Sequence, residues 1–370
     1  MLLKDFIDFN PKESLSKDFH KKISMDQLKP FQRYINSDNY EMFSGGSKFR
    51  NGDTIMARIT PCLENGKTAY VNCLRSNEVA FGSTEFIVAR AKKGISLPLF
   101  IYYLLCSTPI RNTAILSMTG SSGRERVQQF MLDNYEIPNY SLEFQQHIVD
   151  TIGSVDSLIE KNEEIIFKTH KLIDDIYLKE TNTLELVKIS ELDYFNISKS
   201  GIKKFENNKI YLDTSAISDT NITDESYIID YENRPSRANM QPKENTIWFA
   251  KLKDSPKYIL VKNQKRLLEN FVFSTGFMGL ESEEYIVNYL YALILSTSFT
   301  NQKNLLSNGA TMQGINNEIF INILVPNVDK TMAKLIGEKL ENYVNLICRL
   351  QEKNYKLKQI KETLLQKYFG

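Results

Sequence analysis

Apolar residues recur every seven positions in two stretches of the chain, each of which follows a proline step. After Ile137-Pro138 and again after Val325-Pro326, glycine and proline almost vanish for about 40 residues. Sustained heptads are typical of coiled-coil helices, the alternative being a helix packed on its own domain. The pattern therefore predicts long helices over residues 141–180 and 328–370.

The two predicted helices carry opposite net charge, which favours pairing with each other. Residues 141–180 hold 4 Lys and Arg against 9 Asp and Glu, whereas residues 328–370 hold 9 against 5. An antiparallel register places two asparagines face to face, and such a polar pair fixes the register at a cost in stability. In this register Lys361 faces Val155, and we expect its ammonium group to reach water. The predicted helix-pairing residues are Ile152 with Leu364, Ile159 with Leu357, Asn162 with Asn354, Ile166 with Leu350 and Ile173 with Tyr343.

Helices of about 40 residues would form a rod of roughly 60 Å, at 1.5 Å per residue. We expect this rod to hold two globular units at its opposite ends, related by an approximate twofold axis.

The globular parts of the chain repeat each other. Residues 119–139 read TGSSGRERVQQFMLDNYEIPN, and residues 307–327, about 188 positions later, read SNGATMQGINNEIFINILVPN. Upstream matches join residues 102–108 with 291–297, 83–86 with 274–277, 52–55 with 244–247 and 22–26 with 209–213. A repeat this long indicates a duplicated domain, because solenoid units run only about 20 to 50 residues. We predict globular domains at 1–140 and 181–327, each followed by a helical spacer at 141–180 and 328–370.

Each globular unit has an α/β (α+β) pattern of short apolar strands and polar loops. Residues 79–89 (VAFGSTEFIVA) predict a strand interrupted at Gly82, and residues 97–106 predict a helix. Residues 54–60 and 68–74 predict a hairpin around Asn65-Gly66, since Asn-Gly is the strongest short hairpin signal.

Composition and motifs exclude several classes of protein. The chain has 42% hydrophobic and 25% charged residues, no apolar run of 18 residues and no signal-peptide pattern, so we expect a soluble cytoplasmic protein. No phosphate-binding loop, dinucleotide fingerprint or amino-methyltransferase tetrapeptide occurs, which favours a non-catalytic protein. The cysteines and histidines lack metal-ligand spacing, so we expect free thiols and no metal site. They are Cys62, Cys73, Cys106 and Cys348, with His20, His147 and His170.

Two polar, glycine-containing segments, residues 119–126 and 307–313, occupy the same position in each copy, before a predicted apolar strand. Their flexible backbone and hydrogen-bond donors suit phosphates and base edges, although such segments are often only solvated loops.

The stretch FRNGDTIMARITPCLENGKTAYV followed by VAFGSTEFIVA resembles the target-recognition domains of the specificity (S, HsdS) subunits of Type I restriction-modification systems. The TGSSGRERV and IPN steps into a long helix and the C-terminal KLKQIKETLLQKYF extend the resemblance to the whole chain. The second unit departs from the pattern, with LKDSPK in place of CLENGK and Gly276 in place of Glu85.

This resemblance implies two tandem target-recognition domains, each reading one half of a bipartite sequence in double-stranded DNA. The helices would set the spacing between half-sites and dock two methyltransferase (M) subunits, which restriction (R) nuclease subunits then join. S-adenosylmethionine, ATP and magnesium would belong to those partners, and this chain would bind no cofactor. The system would methylate host DNA and defend against foreign DNA.

Polar and basic residues of the two units are the predicted DNA contacts, although each could instead be an ordinary surface or loop residue. In the first unit they are Lys48, Arg50, Arg58, Lys67, Ser83, Thr84, Arg124 and Arg126. In the second unit they are Arg234, Arg237, Lys251, Lys257, Asn308, Thr311 and Gln313.

Two other functions fit the same sequence. One is the specificity subunit of another restriction-modification type, which the gene neighbourhood would distinguish. The other is a DNA-free protein scaffold, which predicts no salt-dependent DNA binding even with a methyltransferase present.

Overall fold

A computed structural model describes residues 1–35, 37–309 and 313–370. The chain divides into two compact units, and each is described by itself. Unit 1 contains Met1–Glu160 and Lys356–Gly370, and unit 2 contains Lys161–Tyr355. Because the division falls inside the two long helices, each unit has its own globular part and its own section of both helices.

The helices are α1 (Leu3–Phe6), α2 (Pro98–Cys106), α3 (Thr108–Leu116), α4 (Gln129–Asp133), α5 (Leu142–Thr181), α6 (Lys265–Asn270), α7 (Ile286–Leu295), α8 (Thr297–Leu306), α9 (Asn317–Phe320) and α10 (Lys330–Phe369). Short 3-10 turns occur at Met25–Gln27 and Ile189–Glu191.

The strands of unit 1 are β1 (Ile7–Phe9), β2 (Phe19–Ile23), β3 (Tyr40–Met42), β4 (Ser47–Arg50), β5 (Thr54–Ala57), β6 (Thr68–Tyr70), β7 (Val79–Gly82) and β8 (Phe86–Ala91). Those of unit 2 are β9 (Leu186–Lys188), β10 (Phe195–Ile197), β11 (Lys209–Leu212), β12 (Ile217–Ser218), β13 (Asn221–Ile222), β14 (Ile228–Ile229), β15 (Ala238–Met240), β16 (Thr246–Ala250), β17 (Tyr258–Val261), β18 (Phe271–Ser274), β19 (Phe277–Ser282) and β20 (Leu324–Pro326).

Unit 1 contains two four-stranded sheets, ordered β1-β8-β5-β6 and β3-β2-β7-β4. Among the residues that the structure describes there, the β2–β7 pair is parallel and the other strand pairs are antiparallel. Side chains alternate along β5 and β8, as strand geometry requires. Ile55 and Val88 pack in the core shared with the second sheet, whereas Met56 and Ile87 pack in the core shared with α2.

The strand predicted over residues 79–89 is interrupted after Gly82 as expected, but its two parts are separate strands rather than one. The chain turns at residues 83–85, so β7 and β8 belong to different sheets. The predicted hairpin is present, with Thr54 opposite Tyr70, but its strands end earlier than predicted, at Ala57 and Tyr70. The helix predicted over 97–106 is α2.

Unit 2 repeats this plan, with sheets ordered β10-β19-β16-β17 and β14-β11-β18-β15 and a parallel β11–β18 pair. Trp248 faces Gly279 across the β16–β19 ladder. A Cβ on that glycine would lie 2.7 Å from the indole ring, so the missing side chain makes room for Trp248. The matching strand orders confirm two tandem α/β domains.

In both units rising residue numbers on α5 meet falling numbers on α10. In unit 1, His147 contacts Tyr368 (3.1 Å) and Asp156 contacts Lys361 (2.7 Å). In unit 2, Nδ2 of Asn162 donates to Oδ1 of Asn354 (2.7 Å) and Lys339 pairs with Glu180 (2.8 Å). The long helices therefore run antiparallel, as predicted.

The apolar heptad positions lie in the cores of their own units. Ile159 and Leu357 share one buried cluster of unit 1, with Leu364 packed against it, and Ile152 lies in the α2 core. Ile166 and Ile173 lie in the main core of unit 2, and Tyr343 and Leu350 pack against the same core.

The prediction for Lys361 is wrong. Its ammonium group does not reach water but donates to the buried carboxylate of Asp156, and the side chain is buried.

Candidate nucleic-acid interface

In unit 1 the polar segment is held between the end of β5 and the loop after α3. We call this place the unit 1 junction. Arg58 donates its backbone N–H to the carbonyl of Glu85 (2.9 Å), and its own carbonyl accepts from Val127 N (2.9 Å). Thr119 and Arg126 exchange both backbone hydrogen bonds, at 3.1 and 2.8 Å. Three segments distant in sequence therefore meet in one small β-like arrangement.

Unit 2 builds the same junction from different residues. Lys251 N donates to the Gly276 carbonyl (3.0 Å), and the Lys251 carbonyl accepts from Ile315 N (3.0 Å). Asn308 and Gly314 exchange both backbone hydrogen bonds, at 3.2 and 3.0 Å. The equivalent positions are Arg58 with Lys251, Glu85 with Gly276, Thr119 with Asn308, Arg126 with Gly314 and Val127 with Ile315.

The unit 1 junction gathers most of that unit's predicted DNA contacts. Arg126 forms an ion pair with Glu85, and this hydrogen bonding raises the pKa of the guanidinium further above its usual range. Arg124 and Thr84 are exposed beside it. Ser83 has a structural role as well, because its Oγ accepts from Glu85 N at 3.1 Å and closes the turn.

Arg58 belongs to the junction through its backbone, but its side chain is half-buried. Its Nε is enclosed and lacks a hydrogen-bond partner among the described protein atoms. Because this donor is enclosed, it is not placed to contact an acceptor outside the chain.

The other basic residues of unit 1 lie away from the junction or already have partners. Lys48 lies on β4, donates to the Glu13 carbonyl (3.0 Å) and sits 5.0 Å from the centre of the Phe43 ring. Arg50, on the same strand, is half-exposed, with Nε 3.7 Å from Glu13 Oε1. None of the described contacts of these two residues is with Arg124 or Arg126.

Lys67 and Lys257 occupy equivalent positions in the two units. The carbonyl of Lys67 accepts from Ala57 N (2.9 Å), and that of Lys257 accepts from Ala250 N (3.0 Å). Each ammonium donates to a backbone carbonyl, that of Met25 (2.9 Å) or Thr214 (2.5 Å). Both lysines therefore stabilise the loop that follows the junction strand.

The unit 2 junction surrounds a pocket of about 280 Å³ lined by Arg237, Lys251, Thr275 and Asn308, among others. Lys251 Nζ donates to the Thr275 carbonyl at 3.0 Å. Burial, together with the nearby Arg237 charge, lowers the pKa of Lys251. In the described parts of the chain no carboxylate lies within ion-pair distance of either cation, so the pocket is suited to an anion.

The remaining predicted residues of unit 2 are less available. Arg234 donates to the Tyr231 carbonyl and stacks on that ring at 4.2 Å. Gln313 accepts from Lys253 Nζ at 3.0 Å. Thr311 lies outside the described residues.

Two residues at the junctions were missed from the sequence. Glu85 lies within the matched stretch GSTEF, but DNA contacts are predicted from basic and polar neutral residues, so an acid is not marked. Lys303 lies on α8 and donates to the carbonyls of Ala250 (3.2 Å), Leu252 (3.0 Å) and Ser255 (3.2 Å), holding the loop that carries Lys251. Burial lowers its pKa to about 8, and no sequence signal marks it as buried.

The cysteines are free thiols, and burial raises the pKa of Cys106 to about 11 and of Cys348 to about 12. Over the described ranges, no group of His, Cys, Asp and Glu side chains could hold a metal ion. In the same ranges, no helix combines the length and apolar character needed to span a membrane.

Comparisons with known proteins point to one family. Residues 2–168 match the profile of the Type I restriction modification DNA specificity domain. The chain is 34% identical over 120 residues to the Type I restriction enzyme EcoAI specificity subunit of Escherichia coli, covering 32% of this chain and 20% of that protein. It is 36% identical over 129 residues to the corresponding EcoEI subunit, covering 34% and 21%. The matches thus span about a fifth of these relatives' length.

The fold of the whole chain has a solved counterpart. The chain is similar to the crystal structure of a Type-I restriction-modification system S subunit from M. genitalium, with a TM-score of 0.51 and 16% identity. The alignment covers 100% of this chain and 95% of that one. The family resemblance inferred from the sequence is therefore confirmed over residues 2–168, and the whole chain has the fold of a solved Type I S subunit.

Proposed function

We propose that this chain is the DNA-specificity subunit of a Type I restriction-modification complex. Each globular part reads one half of a bipartite target in double-stranded DNA. The observation that carries the proposal is the junction built twice, with the same backbone hydrogen bonds and different side chains. A duplicated scaffold whose side chains differ at one place suits the reading of two different half-sites, because base contacts rather than backbone contacts specify sequence.

The charges at the two junctions support DNA as the ligand. Unit 1 presents Arg124 and Arg126, and unit 2 presents Arg237 and Lys251 around a pocket. Arginine and lysine contact phosphates and guanine edges in protein–DNA complexes. Phosphate contacts of this kind make binding weaken as salt rises.

The long helices carry surface suited to partner subunits. The section of α5 in unit 2 exposes the large apolar side chains Ile165, Phe167, Leu172 and Leu178. Ile165 and Leu172 lie seven positions apart and therefore share one face of the helix, and neighbouring exposed apolar groups mark protein interaction sites. In our proposal the methyltransferase subunits dock here, and nuclease subunits join the resulting complex.

The chemistry belongs to those partners. S-adenosylmethionine, ATP and magnesium are held by the methyltransferase and nuclease subunits, and this chain supplies recognition without a catalytic residue or cofactor. The complex acts in the cytoplasm, where it methylates host DNA and restricts foreign DNA.

The decisive experiment maps methylated bases in the source genome with and without this gene. Loss of a split motif with a fixed gap is the expected result. An unchanged methylation pattern, in a strain whose other subunits are intact, contradicts the proposal.

Docking is tested by co-purification with the methyltransferase subunit. The double variant Ile165→Lys with Leu172→Lys should lose the partner, because each lysine places a charge in an apolar contact. The matched variant Lys353→Glu, on an exposed position of α10, should retain it. Undiminished co-purification of the double variant would place the partner elsewhere.

A further inference from the structure

Arg126 and Glu85 form a single oriented unit at the unit 1 junction. The Nε of Arg126 lies 3.0 Å from both carboxylate oxygens of Glu85, and its Nη2 lies 2.7 Å from Oε1. Its Nη1 donates to the Arg124 carbonyl at 3.1 Å. A guanidinium carries five N–H groups. Three are therefore engaged, and one on each terminal nitrogen stays available.

The two terminal nitrogens thus keep one donor each, which is the number that the major-groove edge of guanine requires. Guanine presents the adjacent acceptors O6 and N7, and arginine binds them with two hydrogen bonds. The Arg126 side chain is 42% exposed, whereas that of Glu85 is 23% exposed, so the acid supports a guanidinium that faces outward.

The backbone beneath this pair is fixed on both sides. Arg126 exchanges hydrogen bonds with Thr119, and its neighbour Val127 donates to the Arg58 carbonyl. Glu85 closes its own turn through Ser83 Oγ, and its carbonyl accepts from Arg58 N. A guanidinium held at both its backbone and its side-chain nitrogens has little freedom left to lose on binding.

The acid also decides between the two main ligands of arginine in DNA. A phosphate bound at the free fork would bring a negative charge close to the Glu85 carboxylate, and like charges at such distances repel. A guanine edge offers neutral acceptors and meets no such repulsion. We infer that Glu85 and Arg126 together are a specificity-determining pair that reads a guanine in the half-site of unit 1.

The inference rests on the proposed function and deepens it for one unit only. In unit 2 the positions equivalent to Glu85 and Arg126 are Gly276 and Gly314, so neither the acid nor the fork exists there. The half-site read by unit 2 must therefore be read through other groups.

The test uses the complex with its methyltransferase subunits and a set of duplexes that change one base pair of the mapped motif at a time. With the unmodified chain, changing one particular G·C pair to A·T should lower the affinity about 10- to 100-fold. Replacing that guanine by 7-deazaguanine, which lacks the N7 acceptor, should also weaken binding.

Three variants separate the possible roles. Arg126→Gln should lose discrimination at that one base pair, to within about threefold, and keep it elsewhere. Arg126→Lys keeps the charge but lacks the fork, so it should lose the same discrimination while retaining non-specific affinity. Glu85→Gln should raise affinity for unrelated DNA, because phosphate is no longer repelled.

The control is Arg124→Gln, which removes the same charge two positions away. If Arg124 contacts a phosphate, Arg124→Gln should weaken binding to all sequences equally. It should also reduce the slope of log affinity against log salt by about 1. If Arg126→Gln behaves in this way too, Arg126 contacts phosphate and the inference is overturned. Unaltered discrimination at every base pair in Arg126→Lys overturns it as well. Failure of the proposed function looks different, because the unmodified complex would then show no bipartite motif.

Discussion

The buried charge of Lys361 is neutralised by a chain of polar partners inside unit 1. Lys361 Nζ donates to Oδ1 of Asp156 (2.7 Å), whose Oδ2 accepts from the Tyr103 hydroxyl (3.0 Å). That hydroxyl accepts in turn from Arg33 (3.2 Å), which forms an ion pair with Glu160. Heptad spacing placed Lys361 in the seam but could not show that an acid lies beside it.

Removing the ammonium group should be costly because it leaves a buried carboxylate without its countercharge. We expect Lys361→Met to lower the free energy of unfolding by about 3–5 kcal/mol, measured by urea denaturation. Adding Asp156→Leu should recover part of the loss, since the uncompensated charge is gone. The exposed Lys353→Met is the control and should change the free energy by less than about 0.5 kcal/mol. If Lys361→Met changes the free energy of unfolding no more than Lys353→Met does, the ion pair contributes little to stability.

His170 should make unit 2 less stable in mild acid. Its Nε2 lies 2.7 Å from the Tyr291 hydroxyl, and burial lowers the pKa of the imidazole to about 4, from an ordinary value of 6.5. Below pH 6.5 the unfolded chain takes up a proton that the folded chain refuses, so stability falls between pH 6.5 and about 4. His170→Gln keeps a polar side chain but does not titrate.

The measurement is the free energy of unfolding at pH 7, 6 and 5. The unmodified chain should lose more stability than His170→Gln over this range. The difference stays under about 1.4 kcal/mol per pH unit because a single proton is taken up. Parallel slopes for His170→Gln and the unmodified chain would refute the assignment.

At the scale of elements, local pattern predicted helices better than strands. The long helices observed over residues 142–181 and 330–369 follow from heptads that repeat within one element. The apolar stretch 79–89 predicted one strand with an interruption at Gly82, yet it supplies strands to two sheets. Which sheet a strand joins depends on partners far away in sequence, such as β2 for β7 and β5 for β8. No local pattern contains that information.

Two glycines inside the long helices should respond in opposite ways to alanine. A Cβ on Gly153 would find only ordinary contacts, at 3.5 Å or more, so Gly153→Ala should stabilise α5 by about 0.5–1 kcal/mol. A Cβ on Gly337 would lie 1.9 Å from the Tyr285 carbonyl oxygen, where the backbone of α10 approaches α7 and Asn288 donates to Gly337 O (3.0 Å).

Gly337→Ala should therefore destabilise the chain, by about 1–3 kcal/mol, despite the higher helix propensity of alanine. Urea denaturation of the two variants side by side is the measurement. If both glycines respond as propensity alone requires, α10 does not approach Tyr285 as closely as the structure places it.

At the scale of the whole molecule, the duplication was visible in the sequence but the functional groups were only partly so. Matched polar segments marked both junctions, because a repeat preserves order along the chain. Glu85 was overlooked, and Lys48 and Arg50 were chosen although they lie on β4. The reason is physical: a junction joins three segments far apart in sequence, so which charges meet is decided by sheet pairing and not by composition.

The two junctions differ in charge, and this difference predicts how unit 2 binds DNA. Arg237 and Lys251 face one pocket without a carboxylate among the described residues, which suits a backbone phosphate, whereas the acid in unit 1 opposes one. Arg237→Gln with Lys251→Gln should therefore weaken binding to all sequences alike. The slope of log affinity against log salt should fall by about 1, as expected when one phosphate contact is lost. Lys265→Gln with Lys204→Gln removes two exposed charges from the same unit and should leave the slope nearly unchanged. A loss confined to one base pair would instead make this pocket a base-reading site, and equal slopes in both double variants would mean that the pocket does not bind the DNA backbone.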